Sequence, residues 1–347
     1  MLKFNHSYNA TVAKIRAMYG KRLMPQDYTE LAARQSVADI ADYLKKNTHF
    51  ADVLAPVDTN TVHRGMLEDL LRRHIFEMYR KITRFEHISG QEFYNYKIIA
   101  AEIDVILNCI RHINAKSEKQ ITDLPIYIQD MVSFDLIEIA KIRSFEELME
   151  FIAKTPYDDV LREIRPDENG KVDYTECEVR LRTYYLARVE KTVSAWGGET
   201  AKKLNSMILT DVDLINVINS YRMTAYFGES AEEIERNMLP FYGRLSKAKQ
   251  QEIYDAPDSE EFIKRFSKTY YGRQLADLGA DMNDLEYCMS MLRFRYAKLA
   301  LKSSCSAPVS VYSFMYLMEV ELQNLISIIE GVRYGISAKK IESLLLV

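Results

Sequence analysis

Residues that break regular structure are scarce in this 347-residue sequence: 12 Gly and 8 Pro are too few for a turn-rich β architecture. Cysteine is scarcer still. Cys109, Cys177, Cys288 and Cys305 are widely spaced with no CxxC, which argues against both a zinc site and a secreted disulfide framework. Thiols of a cytosolic protein are the expected reading. Long apolar runs are missing too, since the longest uncharged stretch, 303–318, has 16 residues, is rich in Ser and contains Pro308. The start, MLKFNHSYNA, lacks the apolar run of a signal peptide. Neither sign of charge dominates. Against 50 Asp and Glu stand 46 Lys and Arg, a net charge of −4, so no duplex-binding surface is expected.

The motifs of catalysis are absent as well. There is no GxGxxG, GxxxxGK[ST] or GxSxG. None of the six His has a Glu three positions before it or a second His four away, so helix-borne di-iron and zincin arrangements are excluded. DENGKVD, from Asp167, has its Gly fourth where a calcium loop needs it sixth, and reads as a turn on Asn169 and Gly170. The sequence therefore predicts no cofactor, no metal and no enzyme site.

What is present is a folded, helix-rich composition of 48% hydrophobic and 28% charged residues, long enough for two or three units of domain size. Windows such as TVHRGMLEDLLRRHIFEMYRKITRF and ECEVRLRTYYLARVEKTVSAW run without internal Pro or Gly and predict an all-α fold. Within it one phrase recurs. KTPYDDVL from Lys154 and KTYYGRQL from Lys268 share Lys, Thr, Tyr and Leu, and KNTHFADVL from Lys46 keeps Thr48, Phe50 and Leu54 after an inserted Asn47. Upstream lie three similar short helical patterns, SVADIADYLKK, SFEELMEFIAK and DSEEFIKRFSK.

A second motif alternates acid with apolar residues in EIDVILNCIR, DVDLINVINS and EVELQNLISI, placing Asp104, Asp213 and Glu321 109 and 108 positions apart. Two motifs recurring in one order at one period predict three helical repeats, 1–117, 118–228 and 229–347. In the phrase, Thr155 before Pro156 predicts a helix N-cap, with Asp158 and Asp159 favouring the positive end of that helix. Tyr157 with Leu161, and Tyr271 with Leu275, fall on one helical face and predict a packing pair, with Thr269 and Thr48 as the corresponding starts. Asp213 with Asn216 and Glu321 with Asn324 sit on the flank of an apolar face, where they need hydrogen-bond partners from a neighbouring helix end or an Arg. In the first copy, Leu107 stands at the Asn position and Asn108 follows it. A catalytic use of Glu102, Asp104 or their equivalents would require an active site repeated three times without His, Cys or Ser partners.

Near the C-terminus, YLMEVELQNLISIIEGVRYGISAKKIESLL resembles the ending of the C subunit of bacterial and archaeal V/A-type rotary ATPases, called the d subunit in eukaryotes. The N-terminal YNATVAKIRAMYGKRLMPQDYTELAARQSVADIADYLKKNTHF is similar to that family's opening, with Tyr8, Arg16, Tyr28, Leu31, Leu44 and Thr48 in order. The resemblance implies an all-helical, funnel-like chain of three pseudo-symmetric units on the cytoplasmic side of the membrane. It would be non-catalytic, seated on the membrane rotor ring and holding the central-shaft subunits. The alternative from the repeats alone is a soluble α-helical scaffold that binds peptides or helices.

Overall fold

The computed structural model describes residues 4–85, 92–117, 121, 124–282 and 284–347. Residue 118, at the first expected repeat boundary, and the side chain of Tyr8 lie outside the described residues. Every regular element among those described is helical. In chain order they include α1 (Phe4–Tyr19), α2 (Pro25–Ala32), α3 (Val37–Asn47), α4 (Ala51–Leu54), α5 (Arg64–Phe85) and α6 (Tyr96–Asn114). Then come α7 (Leu136–Ile139), α8 (Phe145–Ile152), α9 (Tyr157–Leu161), α10 (Tyr174–Ser194), α11 (Gly198–Arg222) and α12 (Ala231–Arg236). The last six are α13 (Lys247–Tyr254), α14 (Ser259–Ser267), α15 (Tyr270–Asp277), α16 (Leu285–Ser303), α17 (Ala307–Arg333) and α18 (Ala338–Glu342).

The chain forms two compact units. Unit one joins the two ends of the sequence, Met1–Ser89 with Ser290–Val347, and unit two is Gly90–Met289. In unit one, α17 packs against α1, α2, α3 and α5, and α18 packs on α2. In unit two, α10 packs against α6, α9 and α11, while α14 packs on α15.

The three short helices α3, α8 and α14 start alike for a local reason. Ser36, Ser144 and Asp258 each accept the N–H three residues on, from Asp39 at 3.1 Å, Glu147 at 3.2 Å and Glu261 at 2.8 Å. Four and eight residues after each cap stand Ile40 and Leu44, Leu148 and Ile152, and Phe262 and Phe266, all fully buried. That spacing puts both side chains on one face, and burying each stabilises by about 1.5–3 kcal/mol. The repeated phrase adds a second pair of the same kind: Phe50 with Leu54, Tyr157 with Leu161, and Tyr271 with Leu275, all buried.

The long helices α6, α11 and α17 end alike too. Each closes on a residue of positive φ, Lys116 (49°), Gly335 (66°) and, after a π-helical turn (Met223–Phe227) that continues α11, Gly228 (64°). The next residue returns its N–H to the last turn, from Ser117 to His112 O, Glu229 to Met223 O and Ile336 to Gly331 O. No helix among the described residues is long and apolar enough to cross a membrane.

Candidate functional site

On each of α6, α11 and α17 one buried acid accepts hydrogen bonds from a distant loop. On α11, Asp213 is fully buried and takes five donors. Oδ1 accepts Gly243 N–H at 3.0 Å and Gln250 Nε2 at 3.2 Å. Oδ2 accepts Arg244 N–H at 2.7 Å, Leu245 N–H at 3.1 Å and the Tyr271 hydroxyl at 2.8 Å. Burial pushes the Asp213 carboxyl above the usual carboxylate range, against the pull of these donors. The loop approaches so closely that a Cβ on Gly243 would lie 2.6 Å from Asp213 Oδ2 and 2.9 Å from Leu209 O.

On α6 the same role falls to Glu102, whose Oε1 accepts Ser133 N–H and whose Oε2 accepts the Tyr157 hydroxyl at 2.5 Å. Burial, then the neighbouring Glu102 carboxylate, pushes the Tyr157 phenol far up, so it stays a donor. On α17, Glu321 Oε2 accepts Leu23 N–H at 2.7 Å, and Oε1 lies 2.6 Å from His49 Nε2. Here the phrase carries Phe50 where the others carry Tyr157 and Tyr271, and without a hydroxyl the polar role moves one residue back to His49.

Asp104 does not belong to this set. It is exposed and pairs with Arg182 at 2.9 Å, an exposed contact of small energetic weight. The signal that separates the two acids is helical register. Three, four and seven positions after Glu102 stand Val105, Ile106 and Cys109, all buried, as Asn216, Val217 and Ser220 do after Asp213 and Asn324, Leu325 and Ile328 after Glu321. Asp104 leads instead to Leu107, Asn108 and the exposed Arg111.

The two Asn residues work as clips. Asn216 Nδ2 donates to Leu239 O at 2.9 Å while Oδ1 accepts Leu239 N–H at 3.0 Å. Asn324 does the same to Leu346, at 2.8 and 3.0 Å. The register position after Glu102 holds Val105, and α6 makes its clip at its last residue instead, where Asn114 Nδ2 donates to Val172 O at 2.9 Å while Oδ1 accepts Val172 N–H at 3.0 Å.

The threonines divide. Thr269 is a true N-cap, its Oγ1 accepting Gly272 N–H at 3.1 Å. Thr155 and Thr48 instead make tighter turns, accepting the N–H two residues on at 3.3 Å and donating to Ile152 O and Leu44 O. The expected cap at Thr155 is thus a connection between α8 and α9, with Pro156 standing before the first helical residue. Thr269→Ala is expected to lower the unfolding free energy by about 1 kcal/mol, and Thr155→Ala by less. Equal shifts in denaturation midpoint would remove the distinction.

Each acid directs its lone pairs at fixed donors inside the fold, an arrangement that clamps loops to long helices rather than one that activates a substrate. Among the described residues no group of His, Cys, Asp and Glu could hold a metal ion. Beside Glu321, within unit one, lies a cavity of about 190 Å³ bordered by Tyr19, Arg22, Tyr28, Phe294 and Lys298. Large exposed aromatics mark two helix ends just before the left-handed residue: Phe227, 73% exposed after α11, and Tyr334, 68% exposed after α17. Such residues are suited to contact with another protein.

A family model described as ATP synthase (C/AC39) subunit matches residues 11–344. The C subunit of the A-type ATP synthase of Halorubrum lacusprofundi is 24% identical, the match covering 97% of this chain and 96% of its own length. That of Methanocaldococcus jannaschii is 24% identical, covering 96% and 85% respectively. That of Methanosphaera stadtmanae is 21% identical over 92% of this chain and 82% of its own.

Proposed function

Since the chain belongs to the ATP synthase (C/AC39) subunit family, a non-catalytic part of a rotary ATPase, we propose that it is the central-stalk socket joining the rotating shaft to the membrane rotor ring. The observation that carries this reading is the family match along residues 11–344, which leaves little of the chain for another role. On this proposal the protein sits peripherally on the cytoplasmic side and corresponds to the d subunit of the eukaryotic enzymes. The three-repeat, funnel-like arrangement of 1–117, 118–228 and 229–347 is part of the proposal. It is supported by the acid that recurs on α6, α11 and α17, each time closing on the loop and phrase of a different third.

A torque-bearing part has to resist deformation between its two contacts. Buried acids that accept backbone N–H groups, as Asp213 does from three successive residues, tie loops to helices with strong charge-assisted bonds. The exposed Phe227 and Tyr334 are the partner contacts we assign first. Shaft assembly from soluble parts gains rate and orientation from complementary charge, so added salt should weaken it.

The test uses membranes stripped of this subunit. They are expected to lose the catalytic head or to hydrolyse ATP without pumping ions, and adding back the purified protein should restore coupling. Normal pumping by stripped membranes, or ATP hydrolysis by the pure protein, would overturn the reading. The first of those results would favour the helical-scaffold alternative.

A further inference from the structure

Of Glu102, Asp213 and Glu321, the last is the one whose second partner is an imidazole, and that imidazole is backed by another. His49 Nε2 lies 2.6 Å from Glu321 Oε1, and His49 Nδ1 lies 3.0 Å from His74 Nε2. The side chains of His49, His74 and Glu321 are all buried, with Phe50 tilted against both rings at 4.2 and 4.9 Å between centroids. With both rings neutral, one proton assignment satisfies every contact: His49 Nε2–H donates to Glu321, and His74 Nε2–H donates to His49 Nδ1. One added proton is also accommodated. His49 then donates from both nitrogens, to Glu321 and to His74, while His74 carries its hydrogen on Nδ1. A second proton added to the rings is not. It places hydrogens on both His49 Nδ1 and His74 Nε2, which face each other 3.0 Å apart with no acceptor between them.

We propose that Glu321, His49 and His74 form an acid-released latch, shut with up to one added proton and opened by the second. What it releases is the segment from Leu23 to His49, held to α17 through the two oxygens of Glu321. The acids of unit two, closed by the Tyr157 and Tyr271 hydroxyls, have no titrating partner of this kind and stay shut. The surroundings of the latch agree. His74 is held down to about 4 by burial, then by His49 and by Lys81 on its own helix, with Asp52 on α4 pulling the other way. Toward Glu321, α1 and α2 present Tyr19 and Tyr28, whose phenols burial pushes up, so both stay neutral through the relevant range.

The experiment is hydrogen exchange of the full chain, reading the backbone N–H of Leu23 against those of Ser133 and Arg244, the equivalent donors at Glu102 and Asp213. Protection at Leu23 is expected to fall by about tenfold per pH unit between about pH 6.5 and about pH 4, because the open form binds at least one more proton than the closed form. Ser133 and Arg244 should show no such slope. His74→Gln keeps an N–H toward His49 without a titrating ring, and should flatten the Leu23 profile. A common slope at all three amides, or an unchanged Leu23 slope in His74→Gln, overturns the latch. Should that variant fail to fold, the imidazole resonances of the unaltered protein decide. A His74 titration that proceeds without change in Leu23 exchange overturns the proposal equally.

Discussion

Replacing Asp213 by Ala is expected to remove about 4 kcal/mol from the stability of unit two, because the substitution strands several buried donors at once. Gly243, Arg244 and Leu245 lose the acceptor of their backbone N–H groups, the Tyr271 hydroxyl loses its bond to Oδ2, and Gln250 Nε2 is left with Leu245 O alone, at 3.4 Å. A single lost neutral hydrogen bond costs about 1 kcal/mol, whereas a buried donor left without any acceptor costs about 1–3 kcal/mol. The total stays below five such losses because Gly243 and Arg244 lie at the surface, where water can take the place of the carboxylate, and Gln250 Nε2 keeps Leu245 O. Tyr271→Phe removes just one of the five and should cost about 1 kcal/mol. Urea unfolding of the two variants is the check. If Asp213→Ala shifts the midpoint no further than Tyr271→Phe, the carboxylate is not the centre of the node. The pH dependence carries a sign as well. The folded value of Asp213 is raised, so the stability linked to it is fully present below the unfolded carboxylate value and lost as pH rises through the folded one. His74 runs the other way: its folded value is depressed to about 4, so its contribution is present above about pH 6.5 and lost as pH falls toward 4.

Gly272→Ala is expected to cost about 3 kcal/mol or more, for a steric reason. A Cβ at Gly272 would lie 2.3 Å from Phe266 O and 2.5 Å from Ser267 Cα, and both neighbours are backbone, which cannot rotate aside. The clash would part α15 from the end of α14, which the Thr269 cap and the buried Phe266 hold close. The equivalent residue in the second copy of the phrase is Asp158, partly exposed at the start of α9 and paired with Arg162. Asp158→Ala should therefore change stability by less than about 1 kcal/mol. Thermal or denaturant unfolding of both variants tests the pair. A Gly272→Ala protein with the midpoint of the unaltered chain would show that the two helices can separate cheaply.

Some of this protein was legible in the sequence because the forces concerned act within a few residues. The helix starts at Ser36, Ser144 and Asp258, and the paired burial of Tyr157 with Leu161 and of Tyr271 with Leu275, follow from capping and from a period of 3.6 residues. The all-α fold and the family followed from the order of such phrases along the chain. Asp104 shows where that reading ends. Alternation of acid and apolar residues marks Glu102 and Asp104 equally, and what separates them is the face of α6 that packs inward, visible in the burial of Val105, Ile106 and Cys109. His49 and Leu23 lie 272 and 298 positions from Glu321, and no local rule connects them. Tertiary packing brought them together, because a buried carboxylate must find donors wherever the fold supplies them, and in unit one it supplies an imidazole where a tyrosine hydroxyl is missing. Local sequence was enough to say where helices begin and which of their faces are apolar. Which acid is buried, which donors reach it and which glycine has no room for a side chain were settled by packing, since each of these depends on contacts that form as the chain folds back on itself.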